Sequence, residues 1–502
     1  MASALENFFF YSVPIGDAEL QLIVAWLIAG ALFFTFYFRF INLRGFRHAL
    51  RIVAGREDSV QNAAGEARSG TGEAGSGTGE AGNAAGEARN AAGEVSHFQA
   101  LSAAVSGTVG VGNVVHVAVA ISIGGPGATF WLIVAGFLGM ASKFVECTLG
   151  VKYRVENADG SVSGGPMFYM DKGFAALNFP RTGKILAWYY AFFLVLACIG
   201  GGCMFQANQA YVQFVTVTGG EESFFGSRAW LFGAIMSGFT ALVIVGGIKS
   251  IARFTARLVP LMAFLYVAAA LVVIASNLPT LPAALLSIVT NAFSPDGVTG
   301  GFVAVLILGF RRAAFSNDAG NGAAAIAHSA VKTDEPLSQG FVAMLEPFID
   351  TVVICTLTAL VIILTVYDPG MLNDGTLSGV ELTSSAFGSV VPWFPSVLAV
   401  AIMLFAYSTM ITWSYYGQKG FVYVFGHNRG TITAFNTLFL LCIVVGCATQ
   451  LETILQFSDA AIFSMAMVNI VALLVLSPGV KRDLAEYWQR VSDNPPVPAG
   501  DR

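Results

Sequence analysis

Two stretches of this chain carry residues whose types and spacing could do chemistry. The first is SGTVGVGN, Ser106 to Asn113, and the second is GFRRAAFSNDAGNG, Gly309 to Gly322. In the first, Gly107, Gly110 and Gly112 turn through different helical faces, with Thr108 and Asn113 among them. Small residues that serve helix packing keep to one face, so this pattern reads as a locally unwound helix. Unwound backbone offers N–H groups to an anionic ligand and carbonyl oxygens to a cation, with no charged side chain needed. Other chemistries find little support. No metal-ligating constellation of His, Asp and Glu and no nucleophile–base pair emerges. Six cysteines (Cys147, Cys198, Cys203, Cys355, Cys442 and Cys447) lie in apolar stretches. They read as small hydrophobic side chains rather than disulfides or a zinc site.

The elements that must position these stretches are membrane spans. The 502 residues are 55% hydrophobic and 11% charged, with mean hydropathy +0.69; an ordinary soluble domain is about 25% charged. That composition excludes a cytosolic enzyme, a disordered chain and a secreted disulfide scaffold. A net charge of −5 leaves no basic footprint for nucleic acid. At roughly 20 apolar residues per crossing, eleven spans are expected, near 19–41, 98–123, 127–150, 185–215, 229–248, 258–276, 300–330, 340–366, 393–417, 431–450 and 453–477. No cleavable signal peptide is evident, because the first apolar run continues into a full span. With the amino terminus outside, the outward segments hold one basic residue, Arg228, and the inward segments hold 22. Lys143, Arg311 and Arg312 fall inside spans. This asymmetry predicts a multi-pass protein of the plasma or inner membrane, starting outside and ending in the cytoplasm.

The two interrupted stretches lie in the second and seventh expected spans. Residues 98–276 and 300–477 therefore form two sets of five, and because five is odd the second set enters from the opposite face. The expected fold is an all-α integral membrane protein: a 5+5 inverted repeat of ten helices plus one extra amino-terminal helix (1–41). A cytoplasmic loop (42–97) and a cytoplasmic tail (478–502) complete it. A broken helix leading each half builds substrate and ion sites near the bilayer midplane.

Several blocks strengthen this picture: GTVGVGN with GGPGATFW, SGGPMFYM, FSNDAGNGAAAIAHSA, FIDTVVICTLTALVI, FAYSTMITWSYYG and FSDAAIFSMAMVNI. Together, over about residues 15–485, they resemble the alanine or glycine:cation symporters, amino-acid transporters of the leucine-transporter fold. The resemblance implies uptake of a small neutral amino acid coupled to sodium, or occasionally to protons, with no cofactor beyond the coupling ion. It implies a substrate cradle at Gly110, Gly112 and Asn113, completed by Gln206, Phe315, Asn321, Thr409 and Trp413. It also implies a sodium site between the second and ninth spans, with Thr108, Ser408, Thr409 and Thr412 as candidates alongside main-chain carbonyls. Three positions depart from the family pattern: Val111 loses a hydroxyl, His116 stands where glycine is usual, and Asn321 where methionine is usual. The Asn321 amide favours a more polar substrate such as serine, threonine or glutamine. A channel or a membrane enzyme is the remote alternative.

Other polar residues carry plainer expectations. Lys143 and Glu146, three apart on one helix face, are expected to form a structural ion pair. Arg311 and Arg312 with Asp318 suggest a buried pair or an intracellular gate, with Glu346, Asp350 and Asp459 as candidate partners. His116 and His328 read as packing or hydrogen-bonding residues; His116 is the one whose titration could make transport pH-sensitive. Residues 62–96 divide into five heptads: NAAGEAR, SGTGEAG, SGTGEAG, NAAGEAR and NAAGEVS. They lack an apolar stripe and read as a flexible spacer. Only the last copy runs straight into HFQALSAAVSGT and looks native, the others resembling a tandem expansion.

Overall fold

The computed structural model describes residues 12–15, 18–55, 92–157, 160–294, 301–368 and 379–493. The first four heptad copies lie outside the described residues. A short antiparallel hairpin, β1 (Ser12–Ile15) with β2 (Ala18–Gln21), leads into α1 (Leu22–Tyr37) and, past a turn, α2 (Phe46–Val53). The first interrupted span follows as α3 (His97–Thr108) and α4 (Val111–Gly124), whose axes differ by 42°. A capping box starts α3: Gln99 N donates to Ser96 Oγ, and Ser96 N to Gln99 Oε1. At the break, Gly110 is extended, and its N–H is taken by Asn113 Oδ1 at 2.8 Å. The chain therefore unwinds where the glycines predict, at Val109 and Gly110.

Next come α5 (Gly127–Lys152), a hairpin of β3 (Val155–Glu156) with β4 (Val162–Ser163), α6 (Pro166–Ala176), α7 (Pro180–Ile199) and α8 (Phe205–Val217). A π-helical turn, Gly200–Met204, joins α7 to α8, so Pro180–Val217 is one span with a bulge. After α9 (Ala229–Ile244), α10 (Gly247–Ser276) and α11 (Leu281–Phe293) comes α12 (Gly301–Asn317). The second interruption covers residues 318–323. Positive φ at Asp318, Gly320 and Gly322 turns the chain there before α13 (Ala324–His328). The remainder is α14 (Pro336–Ala343), a second π segment (Phe348–Cys355), α15 (Thr356–Thr365), α16 (Val380–Gly388), α17 (Phe394–Phe425), α18 (Arg429–Ala448) and α19 (Leu451–Asp493).

Among the described residues, seven helices are long and apolar enough to cross a membrane, and the bent α3–α4 pair makes an eighth. Large apolar side chains such as Leu242, Val245, Phe264 and Leu441 face outward on α9, α10 and α18 or just past their ends, as lipid contact requires. The expected first and fifth spans are shorter, at 16 residues each. Four segments expected as loops, 42–97, 151–184, 277–299 and 367–392, instead contain α2, α6, α11 and α16. The packing of α11 gives the reason: Trp131 Nε1 on α5 donates to Ala292 O, and a Cβ on Gly127 would meet Asn291 O at 2.2 Å. The connection lies hard against the bundle, where backbone groups need helical partners. α19 also runs through Pro478, so much of the expected tail is helix.

The amino end of α3 and the carboxyl end of α13 are tied together. Val95 bridges Val331 in parallel, Glu94 N donates to Ala330 O and Lys332 N to Val95 O. Arg154 spans the seam, donating to the carbonyls of Ala92, Ser329, Val331 and Thr333 at 2.5–3.0 Å. Residues 92–96 of the last heptad copy thus pack as part of the fold: Gly93 has φ +138° and comes so close to Val331 O that any Cβ would clash.

Candidate functional site

The two interruptions meet through one carboxylate. Asp350, fully buried in the second π segment, accepts from Asn113 Nδ2 (2.6 Å), Ser316 Oγ (2.6 Å) and Thr351 Oγ1 (2.7 Å). Asn113 Nδ2 also lies 3.2 Å from Ser316 Oγ. Asn113 therefore has no free amide: its oxygen caps the start of α4 and its nitrogen holds the end of α12. The resemblance made Asn113 a substrate contact; its geometry is that of a clamp between broken helices.

Beside this clamp lies a cavity of ≈ 40 Å³, room for about three waters. Gly107, Thr108, Gly112 and His116 line it from α3 and α4, and Phe315 and Asp318 from the second interrupted segment. The bulged span adds Gly201, Phe205 and Gln206; Trp413 and Ser458 close it from α17 and α19. The π turn sets Gln206: its Nε2 donates to Gly201 O (3.1 Å), while Oε1 is buried with no partner among the described residues. Trp413 Nε1 donates to Gly107 O at 3.0 Å, so this indole seals a carbonyl freed near the break. Asn321 differs from expectation. Its Nδ2 donates to Asp318 Oδ1 (2.6 Å) and its Oδ1 accepts from Ala323 N (2.9 Å), so the amide folds the interruption and is absent from the cavity wall. Besides Gln206 and Thr108, polarity at the wall comes from neighbours that the family pattern did not point to, Asp318 and Ser458, together with His116.

Between α3 and α17 runs a seam of uncharged oxygens. Thr409 Oγ1 donates to Ser106 O (3.0 Å), Thr412 Oγ1 to Ser106 Oγ (3.2 Å) and Ser106 Oγ to Ser408 O (2.9 Å). A Cβ on Gly110 would lie 2.5 Å from Thr409 Oγ1, so only glycine lets the break approach this hydroxyl. Ser408 Oγ turns back to Phe405 O. Thr108, expected in the same ion set, sits on the cavity wall with its hydroxyl toward Ala104 and Val105 carbonyls, each 3.4 Å away. Ser106 was missed, although it opens the same SGT run that contains Thr108. Hydroxyls and carbonyls without a counter-charge are the donor set of a hard monovalent cation.

Of the intramembrane charges, Arg311 takes one of its candidate partners, Asp459, whereas Lys143 and Glu146 pair differently from the sequence expectation. Lys143 is fully buried and does not snorkel; its Nζ lies 3.5 Å from Glu346 Oε1, whose other oxygen faces His328 Nε2 at 3.5 Å. Glu146 accepts instead from Gly320 N (2.8 Å) and Asn469 Nδ2 (3.0 Å), staking the second interruption to α19. A lysine and a glutamate three apart share a helix face, but here tertiary partners outcompete that proximity. Arg311 pairs with Asp459 at 2.5 Å, while Asp318, Glu346 and Asp350 are all engaged elsewhere. His116 packs as expected, stacked on Phe205 (5.3 Å between centroids) and edge-on to Phe315 (5.4 Å).

Comparison with known proteins gives this geometry a context. Residues 78–498 match the sodium:alanine symporter family. The sodium/alanine symporter AgcS of Methanococcus maripaludis is 39% identical over 386 residues, covering 76% of this chain and 82% of that one. The probable sodium/glutamine symporter GlnT of Bacillus subtilis is 32% identical over 474 residues, covering 94% and 88%. Among solved structures, MhsT in complex with L-phenylalanine superposes with TM-score 0.54 at 17% identity, over 75% of this chain and 88% of that one. That last likeness is one of fold.

Proposed function

Because the chain belongs to the sodium:alanine symporter family, we propose that it carries a small neutral amino acid into the cell together with sodium, by alternating access. The observation that carries this reading is the ≈ 40 Å³ cavity at the meeting of both interruptions, with Gln206 Oε1 left buried and unpartnered on its wall. The amino end of α4, at Val111 and Gly112, offers backbone N–H groups and the positive end of a helix dipole to a carboxylate. The Gln206 carbonyl suits the ammonium group, and Phe205, Phe315 and Trp413 exclude water around a short side chain. Relatives carry sodium/alanine and probable sodium/glutamine names, both of them neutral amino acids.

Sodium rides in the seam of Ser106, Ser408, Thr409 and Thr412, beside the same glycine break. One net positive charge moving inward gains about 2.3 kcal/mol per 100 mV of membrane potential, which is what lets the ion drive accumulation. With the amino terminus outside, α12 and the first turns of α19, which carry Arg311 and Asp459, lie on the outer side of the cavity. Their ion pair then closes the outer mouth, where the sequence suggests a buried pair or an intracellular gate. The 5+5 inverted repeat accounts for two interrupted spans leading two sets of five, and the likeness in fold to MhsT supports it. Reconstituted protein should accumulate labelled alanine saturably under an imposed sodium gradient and not under a potassium one. Flux independent of the gradient would point to a channel and overturn the reading.

A further inference from the structure

We propose that His116 reads the substrate's side chain, and that the protein prefers a small amino acid bearing a hydroxyl, serine foremost, over one bearing only a methyl. This rests on the symport reading above and narrows it. The ring folds back over the amino end of α4, so that a Cβ on Gly112 would lie 3.4 Å from its Nδ1. Phe205 from the bulged span stacks on it at 15°, and Phe315 from α12 meets it edge-on, so its plane is fixed from two sides. His116 is 4% exposed and lines the cavity, yet neither ring nitrogen has a partner among the described residues. Buried polar atoms are almost always paired, so these nitrogens call for a partner that enters the cavity.

The chemistry of that partner follows from what is already matched. A neutral imidazole presents one donor and one acceptor. The zwitterion does not need both from a single group, since its carboxylate takes donors at the α4 start and its ammonium takes the acceptor on Gln206. What remains is a site for a group that both donates and accepts. Ser458 adds to it: its hydroxyl proton goes to Ile454 O at 2.6 Å, leaving lone pairs on the cavity wall. A hydroxyl is the smallest group that fits both partners.

The test uses the full-length protein in proteoliposomes with a sodium gradient. Uptake of labelled alanine is competed with serine and with 2-aminobutyrate, which carries a methyl where serine has its hydroxyl. Serine should bind about three- to tenfold more tightly, the worth of one neutral hydrogen bond. His116→Phe, which keeps the aromatic stack and removes both nitrogens, should bring the ratio close to one, and His116→Gln should restore part of it. A wild-type protein that favours 2-aminobutyrate or treats the two alike overturns the proposal, as does a His116→Phe protein with the ratio intact. If His116→Phe fails to reach the membrane, the wild-type ratio and His116→Gln decide. Alanine uptake that ignores sodium is a separate result: it removes the symport reading whatever the ratio.

Discussion

Asp350 is the residue on which the site's geometry turns. Its carboxylate takes protons from Asn113, Ser316 and Thr351, one from each interrupted segment and one from its own π segment. Removing it takes the shortest acceptor from three buried donors and leaves Asn113 only longer contacts to Ser316 Oγ and the Asp350 carbonyl; a buried donor left unpaired costs about 1–3 kcal/mol. Asp350→Ala should therefore lower the thermal midpoint in detergent by several degrees and abolish uptake. Asp350→Asn, which keeps an acceptor, should be milder in both; equal tolerance of the two would mean the clamp is idle. At Asn321 the expected effect runs the other way. Because its amide is spent on Asp318 and Ala323, Asn321→Met should cost about 1–3 kcal/mol of stability and leave the serine-to-2-aminobutyrate ratio alone. A shifted ratio would return Asn321 to the pocket that its family position suggested.

At the scale of elements, glycines decide how closely the broken spans approach their neighbours. Gly110→Ala places a Cβ 2.5 Å from Thr409 Oγ1, which must push α17 away from the α3 break. The expected outcome is a sodium concentration for half-maximal uptake raised at least severalfold; an unchanged sodium dependence would place the ion outside this seam. The tie between α3 and α13 depends likewise on Gly93 and on Arg154, whose guanidinium holds four carbonyls. Arg154→Ala should free both helix ends, so hydrogen exchange over residues 92–104 and 324–333 should speed up while that of α10 stays put. The glycine clusters made the first unwinding legible. The π segments at 200–204 and 348–355 were not, since GGGCM and FIDTVVIC carry too little polar contrast for one extra residue per turn to show in the hydrophobic pattern.

Taken whole, the molecule buries charges that sequence spacing paired wrongly. Lys143 and Glu346 are both fully buried and 3.5 Å apart, though 203 residues separate them. Losing one partner leaves an uncompensated buried charge, at about 3–5 kcal/mol. Lys143→Met should therefore destabilise strongly, and the double variant with Glu346→Leu should recover much of that loss in a thermal melt. Additive losses would show that the two side chains do not depend on each other. The loop calls for the opposite result. Residues 92–96 pack into the fold, whereas deletion of 62–89 removes only upstream heptad copies, so uptake at matched expression should stay within about twofold.

By itself the sequence determined the solvent and the machinery: 55% hydrophobic and 11% charged residues demand a bilayer, and glycines with Asn113 demand an interrupted helix. Both follow from local rules, because hydrocarbon tolerates no unpaired backbone and a cluster of glycines lowers the cost of leaving the helix. Only the tertiary structure decided which polar groups are spent and which are left over. Asn113 and Asn321 look like pocket amides in the sequence and are consumed by Asp350 and Asp318, while His116 and Gln206 keep atoms on the cavity wall that have no partner among the described residues. A hydrogen bond is settled over the last ångström between segments hundreds of residues apart, and no spacing along the chain records that distance.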